Sequence, residues 1–288
     1  MRNLTEIVKP ETIEEAVQLL DRETPRTVAL AGGTEVVGDA DSQVGAVVDL
    51  SGLGLDTLRV EADGLHMGAL VTLAALADAP QARAVAGGHL TPAARVATSS
   101  LLRRQATLGG SLLTEQAPEL AALLLALGAE TVIYTPTASR RPLAALYQGG
   151  RARCEGVLTE IIVPQVAAEG VGCHAVRRTP SDAPLVAVAV ALVLDGGTVR
   201  RIGLAASGAL VPRPTNPNGP RGWARRLERA EAALQGQALT NQGLEACVQS
   251  ATSDLDLVTD YLASAEYRAA MVGVLLRRAL GDAWHAAA

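Results

Sequence analysis

The sequence predicts an α+β protein with two domains. Its 288 residues are enough for two domains of about 100–200 residues each. In the first half, short apolar strands alternate with helices. In the second half, two strands joined by a hairpin precede three helical patterns, the order typical of an α+β domain. With 49% hydrophobic and 19% charged residues, the composition is that of a folded globular chain.

The first half begins with a helix that Thr12 caps, with Glu15 three residues later as in a capping box. Thr72 is the expected cap of a second helix. The apolar segment from Glu119 to Gly128 predicts a buried helix that ends at the glycine. Runs of β-branched and apolar residues predict strands at residues 27–30, 46–50, 65–69, 130–134 and 157–163.

A different pattern follows the boundary that we place between Pro164 and Gly172. Residues 186–194 alternate Val or Leu with Ala, the Asp-Gly-Gly sequence at 195–197 predicts a hairpin, and a return strand starts at Val199. The prolines and glycines of residues 213–222 predict a long loop. Helical spacing of apolar residues then predicts three helices near residues 224–234, 242–252 and 265–280.

Charge and composition exclude several classes of function. A net charge of −5 and only 2% aromatic residues argue against nucleic-acid binding, which needs cationic and stacking side chains. The longest apolar stretches are half the length of a membrane helix, so no transmembrane segment is predicted. The three cysteines are scattered and the N-terminus has no apolar signal core, so we expect a cytoplasmic protein in a reducing compartment.

Two Gly-Gly segments are the most informative local features. One is Ala31-Gly32-Gly33-Thr34, which follows a strand, and the other is Thr107-Leu108-Gly109-Gly110-Ser111. Main-chain N–H groups of such turns suit a phosphate, and two facing turns suit a pyrophosphate. Neither segment matches the GxGxxG or P-loop patterns, and the alternative interpretation is two tight turns without a ligand. The four histidines are dispersed, and His66 on an apolar strand is interpreted as structural.

The order of motifs resembles one family along nearly the whole chain. LAGGTEVV at residues 30–37 resembles the LAGGTDLL loop of the FAD-binding (medium) subunits of molybdenum hydroxylases, the family of carbon monoxide dehydrogenase medium chains and xanthine dehydrogenase FAD domains. Four further segments are similar to that family: VDLSGL at 48–53, GLHMGALVTL at 64–73, RRQATLGGS at 103–111, and AEYR at 265–268 followed by LRRAL at 276–280.

This resemblance implies a vanillyl-alcohol-oxidase-type FAD-binding domain at residues 1–165, built from two α/β subdomains at about 1–53 and 54–165. A small α+β C-terminal flavoprotein domain, with a three-stranded antiparallel sheet and helices, would occupy residues 172–284 and lie against the isoalloxazine ring.

The resemblance also implies which residues bind FAD. The first loop would surround the diphosphate, the second segment would form the opposite wall, and Glu119 stands where the family places an Asp on the ribose. Leu158 falls near the flavin ring, Asp182 matches an RR..D segment, and Glu35 replaces the family's usual Asp. The implied set is Ala31, Gly32, Gly33, Thr34, Glu35, Val36, Thr107, Gly109, Gly110, Ser111, Thr114, Glu119, Leu158 and Asp182.

The implied function is electron transfer. The chain would carry FAD, accept electrons from [2Fe–2S] clusters of a small partner subunit, and pass them to NAD⁺, a quinone or O₂. A large partner would hold the molybdenum cofactor and oxidise the substrate, in an assembly expected to be a dimer of heterotrimers. Two alternatives stay open: a degenerate structural subunit that has lost FAD, and a stand-alone FAD oxidoreductase without partners.

Overall fold

The computed structural model describes residues 4–36, 43–147, 154–165, 168–179, 182–208, 224–255 and 257–288. Within these ranges the strands are β1 (Glu6–Val8), β2 (Thr27–Leu30), β3 (Ala46–Asp49), β4 (Leu58–Glu61), β5 (Gly64–Gly68), β6 (Glu130–Tyr134), β7 (Ala138–Pro142), β8 (Val157–Pro164), β9 (Gly170–Val176), β10 (Val186–Asp195), β11 (Thr198–Gly208) and β12 (Arg225–Arg226). The α-helices are α1 (Ile13–Leu20), α2 (Leu73–Asp78), α3 (Pro80–Arg83), α4 (Leu90–Val96), α5 (Leu108–Leu113), α6 (Pro118–Ala126), α7 (Glu228–Leu234), α8 (Asn241–Ser253) and α9 (Ala265–Ala287).

The N-terminal sheet is small and parallel, in the order β1-β3-β2. Its helix α1 starts as predicted, because Thr12 Oγ1 accepts a hydrogen bond from the Glu15 amide at 3.1 Å. Ala16 of α1 packs with Val48 and Leu50 in a cluster of its own. The sheet thus places the end of β2, where the first glycine loop begins, beside this cluster.

The second sheet is antiparallel, in the order β4-β5-β8-β6-β7. Its core includes side chains from α2, α4 and α6. Helix α6 is buried on every side, as a helix that is apolar all round must be. It ends as predicted at Gly128, whose φ of +70° is the left-handed conformation that closes a helix at its C-terminus.

The third sheet is antiparallel, in the order β12-β11-β10-β9, and packs against α7, α8 and α9. Its hairpin lies where predicted, with φ of +55° at Gly196 and +82° at Gly197, as a type I′ turn requires. The prediction of three strands was incomplete, because Arg225–Arg226 form a short fourth strand on β11. The predicted helix at residues 224–234 accordingly begins at Glu228. The loop predicted at residues 213–222 lies outside the described residues.

The alternation of Val and Ala along β10 determines how the two halves of the chain meet. Valines of this strand join the hydrophobic cluster that includes residues of α7, α8 and α9, whereas Ala189 and Ala191 join the core of the second sheet. The small residues allow α6 to approach closely, since a Cβ added to Gly203 would lie 2.0 Å from the Ala126 carbonyl oxygen. Ser207 Oγ also donates a buried hydrogen bond to the Pro118 carbonyl oxygen at 2.7 Å.

Across the described ranges, no helix combines the length and the apolar character needed to cross a lipid bilayer.

Candidate functional site: a cleft between two glycine segments

A cleft that is open to solvent lies where the first and second sheets meet. It is walled by the loop after β2, the start of α5 and the start of β8. Eleven of the fourteen residues that the sequence assigned to the site line it: Ala31, Gly32, Gly33, Thr34, Glu35, Val36, Thr107, Gly109, Gly110, Thr114 and Leu158.

The loop at residues 31–36 presents unused hydrogen-bond donors to this cleft. Within the part of the chain that the structure describes, the amide N–H groups of residues 32–36 donate no hydrogen bond, and neither does the Thr34 hydroxyl. Gly33 has a φ of +71°, a conformation that turns the chain sharply and is readily adopted by glycine. Successive N–H groups in such a turn form a concave surface that favours an anion.

The second glycine segment differs from the prediction. It is the first turn of α5, with Thr107 as the N-terminal cap, and all four of its amides already have acceptors. The bonds run from Leu108 N to Val71 O (2.8 Å), Gly109 N to Ala69 O (2.8 Å), Gly110 N to Thr107 Oγ1 (3.1 Å) and Ser111 N to Thr107 O (2.9 Å). The prediction that this segment forms a second cluster of free amides is therefore wrong. What this segment offers the cleft is the Thr107 hydroxyl hydrogen and a close-fitting wall.

The two glycine segments are nevertheless in direct contact. A Cβ added to Gly32 would lie 1.8 Å from the carbonyl oxygen of Gln105, just before the second segment. A Cβ added to Gly110 would lie 4.0 Å from the Cβ of Ala31. Both segments therefore face one ligand-sized space, and glycine at position 32 is required by the close approach of the two backbones.

The remainder of the cleft is largely apolar. Leu158 enters it from β8, and Val157 beside it also belongs to the cluster around α1. Sequence reasoning missed eight lining residues, which are mostly aliphatic: Leu20, Ala29, Leu50, Ala69, Leu70, Leu113, Gly156 and Val157. The usable signal was their position, since Leu50, Ala69 and Leu70 lie within the motifs at residues 48–53 and 64–73, and Ala29 directly precedes the motif at 30–37. Unused N–H donors together with an otherwise apolar lining suit a ligand that is charged in one part and apolar in another.

Three predicted residues lie outside the cleft lining. Ser111 is buried within α5. The Glu119 carboxylate is instead held by Arg177 of the C-terminal half, with Oε1 and Nη2 2.5 Å apart. Asp182 belongs to the same neighbourhood, because its backbone carbonyl accepts a hydrogen bond from Arg177 Nε at 3.2 Å.

Among the residues that the structure describes, no cysteine or histidine lines the cleft. Burial raises the pKa of Cys154 to about 11 and that of Cys173 to about 12, so both remain thiols. The His66 imidazole lies between two carboxylates: Nδ1 is 3.0 Å from Glu160 Oε2, and Nε2 is 2.8 Å from Asp63 Oδ1. Glu61, Asp63 and His66 converge as a metal site would, yet both imidazole nitrogens are already used.

Comparison with known proteins agrees with this geometry. A family model described as "FAD binding domain in molybdopterin dehydrogenase" matches residues 3–166. A second, "CO dehydrogenase flavoprotein C-terminal domain", matches residues 173–283. The chain is 28% identical to the nicotine 6-hydroxylase medium subunit of Paenarthrobacter nicotinovorans, with 95% of each chain covered.

Two further similarities concern one carbon monoxide dehydrogenase. The chain is 27% identical to the medium chain of the enzyme from Hydrogenophaga pseudoflava, covering 96% of this chain and 95% of that one. A solved structure of that organism's carbon monoxide dehydrogenase, in a form that lacks the Mo-pyranopterin moiety, superposes with a TM-score of 0.86 at 27% identity over 99% of each chain.

Proposed function

The chain belongs to the family of FAD-binding domains in molybdopterin dehydrogenases, and from this membership we propose that it is the FAD-carrying electron-transfer subunit of a molybdenum hydroxylase complex. The family that the five motifs indicated is thereby confirmed. Its relatives are subunits of oxidoreductases, and its two-part organisation, an FAD-binding domain followed by a flavoprotein C-terminal domain, is the one predicted.

The observation that carries the proposal is the row of unused amides at residues 32–36, in a cleft whose remaining lining is largely apolar. A diphosphate brings negative charge that these donors would offset without a metal ion. Gly32 keeps the loop pressed against the backbone at Gln105, so the donors are held in place before a ligand arrives. The donor set and the shape of the cleft therefore fit FAD.

Each part of this chain has a defined task in that proposal. The loop at residues 31–36 binds the diphosphate, Thr107 adds a hydroxyl donor, and Leu158 packs near the ring. FAD, when bound, accepts electrons singly and delivers them in pairs. We propose [2Fe–2S] clusters of a small subunit as the source, an external acceptor such as NAD⁺, a quinone or O₂ as the destination, and a large subunit with the molybdenum cofactor as the site of substrate oxidation.

The finer predictions about architecture and assembly are part of the same proposal. We propose a vanillyl-alcohol-oxidase-type arrangement of subdomains at about residues 1–53 and 54–165, with a flavoprotein domain at 172–284, supported by three hydrophobic clusters that are each centred on a different sheet. We further propose a dimer of heterotrimers in the cytoplasm. The mass of the native complex measures that stoichiometry, and a lone chain of about 30 kDa would contradict it.

The direct test of the proposal is the flavin content of the folded chain. We expect about one FAD per chain, measured by flavin absorbance and by FAD released on denaturation, either as purified or after incubation with FAD. Thr34→Asp should lower the FAD content at least about tenfold, because it places a negative charge among the donors. Thr34→Ser keeps the hydroxyl and should bind normally. A folded wild-type chain that takes up no FAD would contradict the proposal and favour the degenerate structural subunit.

A further inference from the structure

Strand β8 contains a bulge beside the cleft. Up to this point β8 pairs regularly with β6, where Val132 lies opposite Glu160. The next pair is Ile133 with Leu158, so Thr159 has no opposite residue on β6 and is the extra residue of a β-bulge. Such bulges bend a strand locally and re-aim a neighbouring side chain, and they are frequent next to active sites.

The bulge determines which face of the sheet Leu158 occupies. Successive side chains of a strand point to opposite faces, and Ile161 and Val163 belong to the core of the second sheet. Without the bulge, Thr159 would share their face and Leu158 would point to the other one. With the bulge, Leu158 joins the core and lines the cleft, whereas Val157 joins the cluster around α1. Leu158 therefore reaches the core side of the cleft only because Thr159 is accommodated as an extra residue.

The Thr159 side chain closes the bulge on the side of β6. Its hydroxyl donates a hydrogen bond to the Val132 carbonyl oxygen at 3.1 Å, at the point where the regular pairing is interrupted. In a regular ladder the same hydroxyl would face the apolar core, where a polar group without a partner costs free energy. The hydroxyl thus favours the bulged pairing over the regular one, and a valine of the same shape would not.

The Thr159 backbone fixes the bulge on its other side, next to the cleft wall. Its carbonyl oxygen accepts a hydrogen bond from the Ala69 amide at 2.9 Å, and the Ala69 carbonyl oxygen accepts one from the Gly109 amide at 2.8 Å. Ala69 and Gly109 line the cleft, and Thr159 does not. A Cβ added to Gly109 would lie 2.8 Å from the Ala69 Cβ, so this part of the wall has little room to move. The bulge is therefore held between β6 and the cleft wall, with Leu158 beside it.

We propose that Thr159 is a positioning residue that acts on the bound flavin through Leu158. The proposal rests on the proposed function, in which FAD occupies the cleft and Leu158 packs near its ring. Thr159 itself touches no part of the ligand. Its hydroxyl stabilises the bulge, the bulge keeps the Leu158 side chain in the cleft, and that side chain keeps water from the apolar part of the flavin. The protein groups around a flavin tune its electronic properties, so a displaced Leu158 should be visible in them.

The test compares Thr159→Val and Thr159→Ser in the full chain loaded with FAD. Thr159→Val keeps the shape of the side chain and removes the donor. We expect the visible absorbance and circular dichroism bands of bound FAD to shift toward those of free FAD, and the dissociation constant of FAD to rise at least about threefold. Thr159→Ser keeps the donor and should restore both the bands and the affinity.

Thr131→Val is the matched control in the same sheet. The Thr131 hydroxyl donates to the Arg141 carbonyl oxygen at 3.3 Å, from β6 to β7, where the pairing is regular. Thr131 is buried and does not line the cleft. Loss of its hydrogen bond should lower the melting temperature and leave the FAD bands as they are in wild type. A spectral shift confined to Thr159→Val therefore reports positioning and not a general loss of stability.

A double-mutant cycle tests whether Thr159 acts through Leu158. Leu158→Ala alone should shift the FAD bands, and adding Thr159→Val to it should cause little further shift, because the side chain to be positioned is already gone. Additive shifts would overturn the proposed route, even if each single variant changes the spectrum.

The outcomes separate this proposal from the one on which it rests. Wild-type FAD bands and affinity in Thr159→Val overturn the positioning role alone, and so does an equal shift of the bands in Thr131→Val. Failure of Thr159→Ser to restore the bands also overturns it, since the hydroxyl would then not be the group that matters. A folded wild-type chain that takes up no FAD overturns the proposed function, and the role of Thr159 with it.

Discussion

The two glycine segments have similar sequences, but their amides differ: those of the first are without acceptors, and those of the second are hydrogen-bonded. In the loop after β2, the N–H groups of residues 32–36 are left without acceptors in the described chain. In the segment after Thr107, every amide is bonded, because Thr107 caps a helix and two carbonyls of the neighbouring segment accept the rest. A Gly-Gly pair followed by Thr or Ser therefore does not by itself indicate an anion site. In the proposed function the first segment binds the diphosphate, and the second is in contact with it at Gly32.

The largest expected effect comes from breaking the contact between the two segments. In Gly32→Ala, the new Cβ would lie 1.8 Å from the Gln105 carbonyl oxygen, and backbone must move. We expect a loss of about 3 kcal/mol or more in the free energy of unfolding, measured by denaturant titration. Gly281→Ala in α9 is the control, since nothing lies within 4 Å of its added Cβ, and it should raise stability slightly.

This clash changes what the Gly32 variant can reveal about FAD. Loss of FAD in Gly32→Ala would follow from the displaced loop whether or not the amides bind a diphosphate. An alanine variant with wild-type stability would instead contradict the close contact of the two segments. Separating binding from packing needs a variant that touches only one of the two uses, and Thr34→Val, described below, is such a variant.

The ion pair of Glu119 extends the comparison to a third segment that was predicted to bind FAD. Its carboxylate is buried and paired with Arg177 across the two halves of the chain, so Glu119→Gln leaves a guanidinium with little compensation. We expect a destabilisation of about 2–3 kcal/mol. The control is Glu245→Gln, which breaks an exposed pair with Arg277 and should cost under about 1 kcal/mol.

The flavin content of the Glu119 variant decides between the two roles of this residue. If Glu119 joins the two halves of the chain, Glu119→Gln lowers stability, and its FAD content at low temperature stays close to wild type. A variant of unchanged stability that has lost FAD would show that Glu119 contacts the ribose, as the family resemblance implied.

Thr34→Val tests the binding segment without disturbing the fold. The Thr34 hydroxyl makes no hydrogen bond to the described chain, so its removal should leave the melting temperature within experimental error. A hydrogen bond to a charged group is worth about 1.5 kcal/mol or more, and FAD affinity should therefore fall roughly tenfold. Titration of the FAD-free chain measures it. Unchanged affinity would remove Thr34 from the set of ligands.

Thr107→Val tests the supporting segment in the opposite way. The Thr107 hydroxyl oxygen accepts the Gly110 amide at 3.1 Å, and loss of such a cap costs about 1 kcal/mol. We expect a lower melting temperature, whereas Thr107→Ser should restore it. A Thr107→Val chain as stable as wild type would mean that the amides of this segment are not held as described.

Local signals in the sequence predicted most helices and strands, and contacts between distant segments account for the errors. Thr12, Thr72 and Gly128 mark helix ends because their effect is local. The boundary predicted between Pro164 and Gly172 includes the first residues of strand β9, because small residues such as Gly170 and Gly172 are typical of a linker. Both are glycine because α9 crosses them: an added Cβ would lie 1.8 Å from Ala283 O and 2.1 Å from Ala279 O, respectively.

The same distinction applies to the candidate site. The motifs identified the two glycine segments and Leu158 as site residues. Each of them is adjacent to, or part of, a strand or helix of the same local sequence. No local pattern indicated that the second segment's amides would be bonded to Ala69 and Val71, or that Glu119 would pair with Arg177. In each case the partner comes from another part of the chain, and only the packing of the sheets brings the two together.

The smallest expected effect concerns the strand that supports the second segment. Strand β5 leads directly to Ala69, which accepts the Gly109 amide, and it carries His66 between Asp63 and Glu160. Burial alone would lower the pKa of His66, but hydrogen bonds to these carboxylates outweigh it and raise the pKa above its ordinary value. Only the protonated ring donates to both carboxylates.

The hydrogen bonds of protonated His66 therefore contribute fully to stability below the unfolded pKa of about 6.5. This contribution is lost as the pH rises through the higher pKa of the folded state. We expect the free energy of unfolding to fall by less than about 1 kcal/mol from about pH 6 to about pH 8 on this account. In His66→Gln the slope should flatten, whereas His285→Gln at the exposed end of α9 should keep it. An unchanged slope in His66→Gln would mean that the imidazole is not held as a cation, and that β5 supports the Gly109 amide through its backbone pairing alone.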